Sequence, residues 1–141
     1  MKKKVQSIPF LQALLFLLLL VPVLSYAQLS GSYTINPRQN ASNSNYQNWE
    51  SAIGDLISGS RTDGGNAQGS GVSGAVVFTV YDTVYNVNLD ITAITGVSNT
   101  SSITFRSTSL DSSRCVLKNA SSTSSTGDYV IHLNGVDFLR F

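Results

Sequence analysis

Only one cysteine and one histidine occur in the 141 residues. A lone Cys115 excludes an intramolecular disulfide framework. His132 has no Cys, His or acidic residue at ligand spacing, so the sequence offers no metal set. Charge is scarce too: nine Lys+Arg and eight Asp+Glu leave a net charge of +1. Without a basic stripe to neutralise phosphates, nucleic acid is not an expected partner. The glycines of "SRTDGGNAQGSGVSG" are followed by no Gly-Lys-Ser/Thr and open no helix as G-x-G-x-x-G, so they read as a flexible surface loop.

Three lysines, Lys2 to Lys4, precede an apolar run from Ile8 to Leu24, and Ser25 and Ala27 follow as small residues two apart. That layout predicts a secretory signal peptide over 1–27, cut after Ala27, with the mature chain beginning at Gln28. A membrane anchor of roughly 20 apolar residues is the rival reading; Pro9, Pro22 and the small-residue site favour cleavage, which leaves no membrane span. The expected location is secreted, extracellular or on the outer cell surface. Cleavage removes three lysines, and the net charge of +1 becomes −2. Ser, Thr and Asn make up 42 of the residues after Ala27. Such a composition suits turn-rich β-structure better than a helical bundle.

One helix is predicted, over Ser44 to Ser58. Ser44 and Gln47 have capping-box spacing and Gly59 stands at the stop. Tyr46, Trp49, Ile53, Leu56 and Ile57 share an apolar face, with Gln47, Asn48, Glu50, Asp55 and Ser58 opposite. Gly54 inside the helix costs about 1 kcal/mol relative to Ala, so tertiary contact is expected to hold the helix in place.

From Gly74 the period changes to two. Val76, Phe78 and Val80 share one face, then Tyr85, Val87, Leu89 and Ile91. "SITFRS", "RCVLKN" and the closing "YVIHLNGVDFLRF" continue the alternation, with a turn at Asn134-Gly135 and Ile131, Leu133, Leu139 and Phe141 inward. Phe78, Phe105 and Leu133 recur at nearly equal intervals, as do Leu89 and Leu117. A fixed interval in the range of about 20–50 residues marks a solenoid. The expected fold is therefore mainly β: the start of a right-handed parallel β-helix of about three rungs, capped by one N-terminal amphipathic helix. An antiparallel sandwich is the competing architecture. The same interval places Asp90 and Lys118 on adjacent rungs as a surface ion pair. Three parts follow: signal peptide 1–27; strand, capping helix and loop 28–73; β-helix rungs 74–141.

Candidate chemistry is thin. Cys115 shares parity with Leu117 and reads as a small buried hydrophobe rather than a reactive thiol. Asp82, Asp90, Asp111, Asp128 and Asp137 show no assignable pairing for glycosidic chemistry or calcium, and Asp82, Asp111 and Asp137 sit beside turns, where Asp serves local hydrogen bonds. No catalytic, cofactor-binding or metal residue is assigned from the sequence.

The order "GSYTIN", "NYQNWESAIGDLISG", "GVSGAVVFTVYDTVYN", "ITAITGVSNTSSITFRS" and "YVIHLNGVDFLRF" resembles the opening of large, exported, repetitive surface proteins of gram-negative bacteria that lead into a pectate-lyase-like right-handed β-helix. The resemblance implies that the helix covers the first coil and that further rungs follow Phe141, the chain being truncated there. It also implies polysaccharide or cell-surface glycans as the partner class, with further rungs or a second copy at the C-terminal edge. Two functions are compatible with it, beside a third reading as a short self-associating structural protein. One is a non-catalytic structural, adhesive or glycan-binding scaffold; the other is the cap of a polysaccharide lyase or glycoside hydrolase whose site lies in later rungs.

Overall fold

The computed structural model describes residues 28–119 and 128–141. The expected signal peptide, 1–27, lies outside them, as do residues 120–127 of the expected rung region. Nine strands and one helix follow in order: β1 Leu29–Ile35, β2 Asn45–Tyr46, α1 Trp49–Ser58, β3 Val72–Val80, β4 Val84–Val87, β5 Leu89–Thr92, β6 Ile103–Ser107, β7 Val116–Asn119, β8 Ile131–Asn134 and β9 Leu139–Arg140. The boundary expected between residues 73 and 74 falls inside β3, which starts two residues earlier than the strict alternation.

The protein is mainly β, and its pairings are parallel. β2-β1-β3-β6-β9 form one sheet, β4-β7 a second and β5-β8 a third. Successive strands β3, β4 and β5 enter three different sheets, and β6, β7 and β8 revisit those sheets in the same order. A parallel partner cannot be reached by a hairpin, so each return needs a long excursion. Here the excursion is made by the intervening strands.

Register agrees with the expected interval at one column and departs from it at the others. Phe78 lies opposite Phe105 as expected. Leu117, however, pairs with Tyr85 rather than Leu89, and Leu133 pairs with Ile91 rather than following Phe105. Asp90 accordingly faces His132, and Lys118 faces Asn86, so the expected Asp90–Lys118 pair does not form. The interval is twenty-seven residues from β3 to β6 but forty-two from β5 to β8. An equal interval presupposes equal corner loops, and the loops before β7 and β8 are longer. Leu133, expected inward, is 52% exposed.

The core takes one side of each strand. Val76, Phe78 and Val80 of β3, Tyr85 and Val87 of β4, Leu89 and Ile91 of β5, and Ile103 and Phe105 of β6 are buried. Tyr33, Phe78, Phe105 and Phe141 make an aromatic ladder across the main sheet, with ring centroids 5.6, 4.9 and 5.3 Å apart. Those spacings lie within the range in which aromatic pairs add to simple area burial.

Helix α1 is shorter than predicted. Its N-cap is Asn48, whose side chain accepts from the Ser51 N–H at 2.8 Å, and Ser44 caps nothing. Asn45 and Tyr46 instead pair with Thr34 and Ile35 of β1. Tyr46 is fully buried there, edge-on to Phe78 at 5.6 Å, and that burial outweighs the local capping signal. Gly59 ends the helix as expected, in the left-handed conformation at φ 64°. Gly54 has a reason beyond tolerance: a Cβ on it would stand 2.7 Å from the Ser60 carbonyl oxygen.

Gly96 marks a closer approach. Its φ is +86°, and a Cβ would collide with the Val72 carbonyl oxygen at the start of β3. Gly96→Ala is expected to destabilise by about 2–4 kcal/mol, combining left-handed strain with overpacking against rigid backbone. Equilibrium denaturation reads it directly; a loss below about 0.5 kcal/mol, the ordinary surface range, would contradict the tight approach.

Candidate functional site

The densest polar constellation lies where the Gly-rich loop crosses α1. Asp55, expected on the outer face of the helix, is fully buried. Its carboxylate accepts from Tyr46 Oη at 2.7 Å and from the backbone N–H groups of Gln68, at 3.0 and 2.9 Å, and of Gly69, at 3.3 Å. Burial and the Asp55 hydrogen bond push the Tyr46 phenol far above its ordinary range, so it stays a donor.

Beside it the Arg61 guanidinium lies over the Tyr46 ring, 3.9 Å from the centroid. Arg61 donates to both carboxylate oxygens of Asp63, at 3.0 and 2.9 Å, and to the carbonyls of Ser42, Asn45 and Asn66 at 2.7, 2.7 and 3.1 Å. The side chains of Arg61 and Asp63 are 1% and 0% exposed. Burial alone would push Asp63 up. The Arg61 contacts, with the Gln47 and Gly65 N–H groups, overcome it and hold this carboxyl below the usual range. Every polar arm of this network is occupied by protein, so its chemistry is structural: it pins a loop that composition alone marks as flexible.

A different arrangement opens at the far edge of the main sheet. A cavity of about 170 Å³ lies among Trp49, Phe105, Ser107, Cys115, Leu117 and Phe141. Trp49 Nε1 and Ser107 Oγ are buried without a hydrogen-bond partner among the described residues. An unpaired buried donor costs about 1–3 kcal/mol. Cys115 lies half-buried at this edge, and burial, helped by the nearby Asp82 charge, pushes its thiol up. A thiol held protonated in this way is a poor nucleophile, in line with its reading as a small hydrophobe.

The remaining sequence candidates are scattered. Asp111 accepts from the Ser113 N–H at 3.0 Å and hydroxyl at 2.7 Å, a local turn role as expected. Asp82 Oδ1 is buried without a hydrogen-bond partner among the described residues. His132 does have an acidic neighbour: its Nδ1 is 2.9 Å from Asp90 Oδ1, across the β5–β8 pair. Sequence spacing hid that contact, because the two lie forty-two residues apart. The pair is half-exposed, which limits it to at most about 1 kcal/mol. Among the described residues no three His, Cys, Asp or Glu side chains are placed to hold a metal ion, and no helix is long and apolar enough to cross a membrane.

Sequence reasoning set Asp55 on the outer face of the helix and gave Arg61 and Asp63 no role. The available signal was an Arg-x-Asp inside a Gly-rich stretch poor in other charges, next to a helix whose second acid, Asp55, stands between Ile53 and Leu56 of its apolar stripe. No family model matches the chain, and no curated protein and no solved structure matches it.

Proposed function

We propose that this chain is an exported, non-catalytic scaffold: the capped start of a right-handed parallel β-helix of the pectate-lyase-like kind, on whose polar outer faces glycans or neighbouring cells are met. The observation that supports it is strand order. Three parallel sheets visited in turn and then revisited in the same order trace the path that a coiling chain would take, and right-handed travel is the general rule for parallel crossovers. Helix α1 then serves as the cap that solenoids require over an apolar end. Outward positions such as Ser32, Thr34, Thr79, Thr104, Asn86 and Arg106 give the coil a hydroxyl- and amide-rich surface.

The strand edges of β7, β8 and β9 have no further partner among the described residues, and Phe141 is 62% exposed beside them. Such edges template pairing. Further rungs or a second copy are the partners this reading assigns to them.

The test uses the protein recovered from export. Display on the cell surface and retention of glycans, with no new reducing ends and no unsaturated uronates after incubation, is the expected result. Catalytic turnover of a polysaccharide would overturn the non-catalytic reading in favour of the cap of a lyase or hydrolase.

A further inference from the structure

The inward column of Ile35, Val80 and Ser107 breaks its own pattern. Register sets these three opposite one another on β1, β3 and β6, and the first two are apolar and buried. The third puts a hydroxyl where alternation calls for another Val or Ile. Ser107 is 9% exposed, and its Oγ is closed to solvent with no hydrogen-bond partner among the described residues. Trp49, 2% exposed, holds its Nε1 in the same condition. Both residues line the cavity of about 170 Å³ at this edge of the sheet. Two unpaired polar groups in one small cavity are a cost that packing alone does not explain, and departures of this kind concentrate at functional sites.

The rest of the wall is apolar and mostly aromatic. Phe105 stacks on Phe141 with centroids 5.3 Å apart, the Trp49 ring lies 4.9 Å from Phe105, and Val80 and Leu117 complete the enclosure. Phe141 is 62% exposed, which leaves that wall lightly packed. An apolar cavity of about 150 Å³ takes up benzene, whereas drug-sized ligands need clefts of about 300–1,000 Å³. The space here therefore suits a single six-membered ring. An indole N–H only donates, while a serine hydroxyl donates or accepts. One hydroxyl on the ring meets both needs. The charged residue bordering the cavity, Arg106, is exposed on the outer side of β6, so an ionised ligand would give up its hydration with little return.

We infer that this cavity binds a small neutral phenol, with its ring against Phe105 and Phe141 and its hydroxyl accepting from Trp49 Nε1 and sharing a hydrogen bond with Ser107 Oγ. The lightly packed Phe141 ring turns aside on entry and uncovers the two polar atoms. Aromatic walls at these spacings favour a flat ring over an aliphatic chain. The cavity belongs to the inward side of the strands and does not depend on what the outer faces meet.

Trp49 is the one tryptophan of the chain, so its indole N–H gives a single signal in a nitrogen–proton correlation spectrum of the exported protein. The experiment titrates phenol, toluene and benzoate against that signal. Saturable movement with phenol, binding of toluene about fivefold to tenfold weaker, and weaker binding still of benzoate are the expected results. S107A should weaken phenol about fivefold, leave toluene unchanged and keep the thermal midpoint. C115F, which fills the cavity from a half-buried position, should abolish binding of both. An indole signal that stays in place at phenol concentrations leaving the protein folded would overturn the site. Equal binding of phenol and toluene, in the wild type and S107A alike, would overturn the role of the hydroxyl, and a preference for benzoate would overturn the neutral class. Movement of the signal on raising protein concentration without any probe, with a doubled mass in light scattering, would show that a second copy fills the cavity and would overturn the site.

Discussion

Trp49→Ala is expected to lower the unfolding free energy by about 3–5 kcal/mol, the usual cost of emptying an indole site in a core. Trp49 opens α1 and is 2% exposed. Its ring lies 4.9 Å from Phe105 and meets Tyr85 edge-on at 6.2 Å, so one side chain ties the helix to both the main sheet and the β4–β7 sheet. Removing it unseats the helix and enlarges a cavity that already stands at about 170 Å³. Packing carries the effect, because the indole N–H has no partner among the described residues. Trp49→Phe should therefore cost less than about 1.5 kcal/mol, keeping a ring against Phe105 while removing a buried orphan donor. Denaturant unfolding of the two variants separates the cases. An unchanged midpoint for Trp49→Ala would show that α1 does not cap the core.

Trp49 also shows what a sequence can disclose. An apolar stripe at helical spacing and a Gly59 stop locate the helix and its buried side, because both signals are local. Strict alternation likewise locates β3 to β6, since a pleated strand puts every second residue inward whatever its partner is. Register is a different matter. Which residue faces which depends on the lengths of corners with no period of their own, and the longer passages before β7 and β8 moved Leu117, Leu133 and Lys118 onto partners other than those the interval assigned and brought His132 opposite Asp90. Asp55 was illegible for a related reason. A carboxylate on a helix reads as solvent-facing unless something buries it with donors, and its donors come from Tyr46 before the helix and from Gln68 and Gly69 well after it. Ser107 was present in the sequence as one serine among many. Only strand pairing sets it in a column with Ile35 and Val80.

Asp63→Asn is expected to destabilise by about 3–5 kcal/mol at neutral pH and to flatten the acid limb of the stability curve. Breaking one side of a buried ion pair leaves the other charge uncompensated, and that penalty dominates. Here Arg61 would retain the carbonyls of Ser42, Asn45 and Asn66 but lose its only counter-charge among the described residues. Arg61→Ala should cost at least as much, since it leaves Asp63 without its counter-charge, takes the donor from the Ser42 carbonyl and removes the cation over Tyr46, while the Asn45 and Asn66 carbonyls keep the Ser42 N–H and the Gln68 side chain. The pH dependence follows from the sign of the shift. Asp63 titrates lower in the folded protein than in the unfolded chain, where an aspartate titrates near about 3.9. Its contribution is complete above that unfolded value and disappears as pH falls through the folded one. Wild-type stability should thus hold from pH 7 to about 5 and decline below about 4, while the Asp63→Asn curve, lower throughout, declines less steeply. Asp111 is also held low, by the Ser113 hydrogen bonds, but it is common to both proteins and cancels in the difference. Parallel acid limbs for the two proteins would mean that the Arg61–Asp63 pair does not anchor the loop to the folded state.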